Sequence, residues 1–396
     1  MSDSTGYFDY AASNPLWPEA QAATVEAMTV IGNPSSTHGF GRRVRKITDG
    51  CRKATADFLG VSPTGVIFTS GATEANNLAV FGLLRPVLEG FPDRRVSVLV
   101  SVLEHSSVSD SLRALAGESG HRLILGEMTL TEDAKVDLGD IEKTIGPDTV
   151  LVCLTAADNI LGSIQPLAEV GELVGIERER RRRDGEELPL YLMSDAVQAA
   201  AWLPLKPQEW GLDAMVISGH KTGGPKGVGA LWLNPETVGG KPNPLVFGGG
   251  QERGWRSGTE NLPAIAGMAA ALGKAVEIRE TESRRCLGLR QRLIAGLSGT
   301  VPKMRVLGAP ESGSLPGTVY LHVPETAGDV LAVRLDAGGF AVSAGSACDS
   351  GQRRPPAVLK AVYGDAVFRW GGVRVSFGRF TGEGDVEGLI RVFGRL

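Results

Sequence analysis

The sequence predicts an α/β fold: a large domain built on a mostly parallel sheet flanked by helices, followed by a smaller α+β domain. Two observations predict it. Between about residues 60 and 235, short β-branched runs alternate with amphipathic helical stretches. Near-continuous apolar strands separated by helices belong to sheets buried on both faces. Beyond residue 262 the alternation stops, and one long helical segment leads into strands and helices in mixed order.

Taken in order, strands are expected at "GVIFTS", "RRVSVLVSVLE", "DTVLVCLT", "LPLYLMS", "LDAMVIS" and "VGALWL". The stretches "EANNLAVFGLLRPVLEG" and "HSSVSDSLRALAGESG" between them carry a helical apolar face. The charge run "IERERRRRDGEELP", 176–189, reads as a solvated helix end and loop. After "GGGQERGWRSGTENLP" a helix is expected over 262–298, then "GTVYLHVP", "DVLAVRLDAGGFAVSAGSACDS", "RPPAVLKAVYG" and "GVRVSFGRF" as elements of the smaller domain. The expected division is residues 15–262 for the large domain, and 1–14 with 263–396 for the small one.

Composition narrows the function. A formal charge of −4 gives no reason to expect nucleic-acid or anionic-membrane binding. The N-terminus lacks the apolar core of a signal peptide, and the longest apolar run, "LPAIAGMAAALGKAV", is cut by Lys274. A soluble, cytoplasmic protein is the expectation. The four cysteines (Cys51, Cys153, Cys286, Cys348) form no C-x-x-C pair and the five histidines no ligand pair, so no metal site is expected.

Polar residues fall where the strands end. "VSVLVSVLEHS" ends in His105, "VLVCLTAADN" in Asp158 and Asn159, and "LPLYLMSDAVQ" in Asp195, with Gln198 just beyond. "DAMVISGHK" delivers Ser218, His220 and Lys221. Ligands of open α/β sheets bind outside the carboxyl ends of the strands, so these side chains are expected to form one site. Lys221, directly after a buried strand, is suited to a Schiff base with an aldehyde; Lys226 in the same loop reads as an ordinary solvated lysine. "FTSGATEANN", 68–77, is a strand, a small-residue turn and a helix start, a pattern whose backbone N–H groups bind phosphate. Lysine, aspartate and phosphate cradle together suggest pyridoxal 5′-phosphate. Cys348, in "VSAGSACDSGQ", has no bulky neighbour to pack it and reads as a thiol placed to be reached. Cys153 lies inside an apolar strand and is expected to be buried.

The chain resembles the pyridoxal-phosphate-dependent cysteine desulfurases of the NifS/IscS type, of the long-loop group, from "YFDYAASNP" to "VSFGRF". The most specific matches are "SGHKTGGPKGVGALW", "GGGQERGWRSGTEN" and "SAGSACDSG". The resemblance implies fold type I with a seven-stranded large-domain sheet, and a homodimer. It implies that Lys221 bonds the cofactor aldehyde, that Asp195 pairs with the pyridine nitrogen, and that Gln198 and Asn159 reach the phenolic oxygen. His105 would stack on the ring and take part in proton transfer. Ala72, Thr73, Ser218 and His220 would hold the phosphate, and Thr259 the phosphate of the partner subunit. Arg374 would grip the substrate carboxylate, helped by Asn33 and Asn159. Cys348, on a mobile loop of about residues 343–356, would take the sulfur of L-cysteine as a persulfide and pass it to an acceptor protein, leaving alanine. Two other readings are a selenocysteine lyase or other carbon–sulfur lyase, and a non-catalytic scaffold that keeps the fold. The family's usual Asn-Asn-Glu stands here as Asp158-Asn159-Ile160.

Overall fold

The computed structural model describes residues 5–238, 243–345 and 356–395. Helices α1 (Pro18–Met28) and α2 (Gly39–Leu59) precede the large sheet. Its strands and their connecting helices follow as β1 (Val66–Thr69), α3 (Ala72–Gly90), β2 (Val96–Ser101), α4 (Ser106–Glu118), β3 (Leu123–Met128), α5 (Leu138–Thr144) and β4 (Thr149–Cys153). After α6 (Leu167–Asp184) come β5 (Tyr191–Asp195), β6 (Ala214–Ser218) and β7 (Gly229–Leu233). The seven strands lie in the order β1-β7-β6-β5-β4-β2-β3.

From β2 to β6 neighbouring strands run parallel, as expected. β7 runs antiparallel to both β6 and β1. The reason is the short connection between β6 and β7: residues 219–228 are too few for the crossover that a parallel neighbour needs, so the chain turns straight back. The apolar strands are covered on both faces, and alternate residues go to opposite cores. Phe68, Val152, Ile217 and Trp232 pack with α2, α6 and the start of α7 (Leu262–Ser298). Ile67, Leu151, Val216 and Leu231 pack with α3 and α4.

α7 spans the stretch expected to be helical, with Asn261 as its N-cap and Pro263 in its first turn. Its 37 residues serve two cores. Ile265, Met268 and Leu272 join the large sheet, whereas Cys286, Leu289 and Leu293 pack on a second, three-stranded antiparallel sheet. That sheet is made of β8 (Arg305–Leu307), β9 (Thr318–His322) and β10 (Val373–Ser376), in the order β10-β9-β8, with α8 (Gly328–Ala337), α9 (Ala357–Trp370) and α10 (Glu383–Phe393) around it. The N-terminal segment joins this unit: Phe8 is fully buried in its core, and its backbone bonds to Ala341 and Ser376.

The charge run departs from its expected solvated role. Most of it is the last half of α6, and Arg181 is buried. Its guanidinium pairs with Glu177 at 2.8 Å and donates to the carbonyls of Gly146 and Thr149. Glu177 and Arg181 are four apart and share a helix face, which packing covers; Arg182 and Arg183 stay in solvent. Among the described residues, no helix is long and apolar enough to cross a membrane.

Candidate active site

A cavity of about 1070 Å³ opens at the carboxyl ends of β4, β5 and β6. The turn before α3 forms one wall. Gly71 takes a φ of +154°, a conformation a side chain rarely allows. A Cβ on Gly229 of β7 would come within 2.8 Å of the Gly71 backbone, so β7 must pass bare beneath the turn. Ala72 and Thr73 then open α3, and their side of the cavity carries helix N–H groups that have no intrahelical acceptor. Glu74 closes the turn by accepting from Ser70 N–H at 2.9 Å and pairing with Arg256 at 2.8 Å.

Asp195, the last residue of β5, is nearly buried, and each carboxylate oxygen has a donor. Val197 N–H donates to Oδ1 at 2.9 Å, and the Asn76 amide donates to Oδ2 at 2.7 Å. Lys221 closes a short 3₁₀ turn after β6. Its ammonium donates to the carbonyl of Ala11, which also accepts from Gln198 Nε2 at 3.0 Å. Asn14 Nδ2 donates to the Lys221 carbonyl at 2.6 Å. Ser218 is buried, and His220 Nδ1 lies 3.4 Å from Ser13 Oγ. Burial, reinforced by the charges of Lys221 and Lys226, lowers the His220 pKa to about 4, so the ring is neutral near pH 7. His105 is the N-cap of α4 and accepts from Ser107 N–H at 3.1 Å.

On the far side, Arg374 of β10 is 4% exposed. Nη2 pairs with Asp9 at 2.7 Å and Nη1 donates to the Asn159 carbonyl at 2.6 Å. Asp158 caps the turn that presents Asn159, accepting from Ile160 N–H at 3.2 Å and from Leu161 N–H. Burial raises its pKa to about 6, against the pull of those N–H groups and of Arg374. Glu104, next to His105 in the chain, is half-buried with one carboxylate oxygen fully covered, and burial followed by the charge of Asp195 pushes its carboxyl well above the usual range.

The structure therefore brings Ala72, Thr73, His105, Asn159, Asp195 and Gln198 to the same cavity as Ser218, His220, Lys221 and Arg374. Lys226 also lines it, although it is exposed. Asn33 and Thr259 lie elsewhere: they bond each other at 3.4 Å, and within one chain Asn33 does not reach Arg374. Cys348 lies outside the described residues, but Ser343 and Gly345 before it line the cavity. Cys153 and Cys286 are buried, Cys51 is partly so, and burial raises the pKa of all three thiols. Sequence patterns missed the segment Asp9–Asn14 and Asn76. The available signal for Asn76 was an amide on the apolar face of α3.

The family model for class-V aminotransferases matches residues 6–389. An IscS-like cysteine desulfurase of Mycobacterium tuberculosis is 36% identical over 388 residues, 98% of this chain and 94% of that protein. Among solved structures, a NifS-like protein superposes with a TM-score of 0.85 at 30% identity, over 98% of both chains. SspA, solved in complex with cysteine, gives a TM-score of 0.75 at 25% identity, over 94% of this chain and 99% of that one. With both the sequence and the fold matched end to end, the chain belongs to the class-V aminotransferases, as a cysteine desulfurase of the NifS/IscS type.

Proposed function

We propose that this chain binds pyridoxal 5′-phosphate in the cavity and converts L-cysteine to L-alanine, handing the sulfur to Cys348 as a persulfide. The observation that carries this reading is the convergence of three unlike groups on one cavity: the Lys221 amine, the Asp195 carboxylate and the N-terminus of α3. The cofactor offers an aldehyde, a ring nitrogen and a phosphate, and each finds its chemical complement here. Ala72, Thr73, Ser218 and a neutral His220 would hold the phosphate, aided by the positive end of the α3 dipole. Asp195, fixed by two donors, would keep the ring nitrogen protonated. Gln198 and Asn159 would reach the phenolic oxygen, and His105 the ring.

When bound, the cofactor withdraws the electron pair left at the substrate's α-carbon. The chain's own residues do the rest. Arg374 holds the substrate carboxylate, for which a planar, multi-donor cation is the best match. Lys221 would hold the cofactor's aldehyde and, with substrate in place, its amine would take the α-proton. The Cys348 thiolate then forms an S–S bond as the substrate C–S bond breaks, and the carbon takes up protons to become alanine. Sulfur changes partner with no external oxidant or reductant. Asn33 and Thr259, paired away from their own chain's cavity, would reach the site of the partner subunit in a homodimer. An acceptor protein would collect the persulfide sulfur.

Borohydride reduction of the cofactor-loaded protein followed by peptide mass mapping tests the central assignment. The cofactor mass should appear on the peptide of Lys221. Its appearance on Lys226, which lines the same cavity, would overturn the assignment.

A further inference from the structure

Glu74 is out of place in a cradle for phosphate. It sits in the first turn of α3 and lines the cavity. An unpaired carboxylate there would hold the positive end of the helix for itself and repel an incoming anion. Both of its oxygens are engaged. Oε2 accepts from Ser70 N–H at 2.9 Å, and Oε1 accepts from Arg256 Nε at 2.8 Å. The first bond is all that a helix start needs; the second ties the turn to a loop 182 positions away.

That loop, residues 250–259, is strained and firmly held. Glu252 and Arg253 take φ of +48° and +58°, which residues with a side chain rarely adopt unless their surroundings enforce it. Glu252 accepts from Arg52 and from Phe68 N–H, and Arg253 donates to the Val66 carbonyl at 2.6 Å, so this half of the loop is clamped to β1. In the other half, Gly258 N–H donates to Gln251 Oε1 at 2.8 Å, and Arg256 supplies the tie to α3. A Cβ on Gly258 would stand 3.6 Å from Arg256 Nη1, so the guanidinium that reaches Glu74 also lies against the residue before Thr259. Thr259 itself bonds Asn33 and does not line its own chain's cavity.

We infer that Glu74 and Arg256 are positioning residues that form a strut, by which each chain's phosphate turn sets Thr259 in place for the cofactor phosphate of the partner subunit. The same pair neutralises the carboxylate beside the chain's own phosphate cradle. Glu74 therefore lines one site and serves the other. This rests on the chain working as a homodimer in which Thr259 crosses to the second site.

Hybrid dimers test it. One chain carries Lys221→Ala, so each dimer keeps a single Lys221, and borohydride-fixed cofactor on that lysine, read by mass, reports the occupancy of one site alone. Glu74→Gln is then added to the Lys221→Ala chain. The Gln carbonyl still accepts from Ser70 N–H while its NH₂ meets Arg256, which cuts the strut and spares the turn. Titrating the cofactor-free hybrid with pyridoxal phosphate should show binding at the remaining Lys221 weakened about fivefold. Thr259→Ala in the same Lys221→Ala chain should weaken it at least as much, and the two changes together no more than Thr259→Ala alone, because Glu74 acts through Thr259. The reverse hybrid, with Glu74→Gln in the chain that keeps Lys221, should lose less. A larger loss in that reverse hybrid, or additive effects of Glu74→Gln and Thr259→Ala, overturns the inference. If Glu74→Gln fails to fold, Arg256→Gln cuts the same pair from the other side and decides it. Thr259→Ala without effect on the partner's site would instead sink the shared-site reading, and the inference with it.

Discussion

Replacing Asp9 by Asn removes the charge that faces Arg374 and keeps the side chain's shape, so it isolates what that charge does for substrate binding. Two effects oppose each other. Asp9 could compete with the substrate carboxylate for the guanidinium, or it could hold the guanidinium where the substrate needs it. A guanidinium has five N–H groups. Asp9 and the Asn159 carbonyl engage one each, and Nε is buried with no partner among the described residues, so donors remain for an incoming carboxylate. Positioning should win. A hydrogen bond between charged groups contributes about 1.5–3 kcal/mol. The Asp9 side chain is 20% exposed and an Asn still offers an acceptor, so the lower end applies. About 1.4 kcal/mol is a factor of ten in binding. The KM for L-cysteine should rise about tenfold in steady-state alanine formation, with kcat changed less than about threefold. The visible spectrum of the bound cofactor should not change, because Asp9 pairs with Arg374 and is not among the residues assigned to the cofactor. An unchanged or lower KM would mean that Asp9 competes with substrate, and the positioning argument would be wrong.

Other expectations follow from particular contacts. Glu252, 1% exposed, takes both prongs of Arg52 at 2.7 Å and the Phe68 N–H at 3.0 Å, so Glu252→Gln leaves a buried cation underpaired. It should cost on the order of 3 kcal/mol in denaturant unfolding; a loss under about 1 kcal/mol would show that the pair is solvated. His220 has a folded pKa of about 4 against an ordinary 6.5, so the unfolded state binds the extra proton. Stability present above about pH 6.5 is lost as pH falls toward 4, and His220→Asn should flatten that slope. Asp158 is the opposite case, an acid raised from 3.8 to about 6. Its contribution is present below pH 3.8 and lost as pH rises through 6, so Asp158→Asn should remove a stability loss in that window; an unchanged pH profile would refute the burial argument. Thiol alkylation near pH 8 should reach Cys153 and Cys286 only after unfolding, because both are buried with raised pKa values. Rapid labelling of either in the folded protein would contradict this.

The parts of the molecule that were legible in sequence share a local cause. Each parallel strand is an apolar run whose first polar residue marks the sheet edge, so Asp195, Ser218 and Lys221 could be placed at one rim before any coordinates. α7 was legible end to end because Asn261 and Pro263 punctuate its start. What stayed hidden acts through distant partners or through the backbone. Asn76 meets Asp195 across 119 positions, and Asp9 meets Arg374 across 365. Ala11 contributes only a carbonyl, which no residue type announces. Arg181 looked like one more solvated charge because its burial depends on which face of α6 turns inward. The reversal of β7 depends on loop length, which composition does not display.

The central claim is sulfur transfer through Cys348 at a pyridoxal-phosphate site built around Lys221. Product analysis with L-cysteine tests it most directly, comparing cofactor-loaded wild type with Cys348→Ala. The account predicts alanine from the wild type and none from the variant, with the cofactor's visible absorbance intact in both. Pyruvate in place of alanine, or alanine formation indifferent to the loss of Cys348, would contradict it.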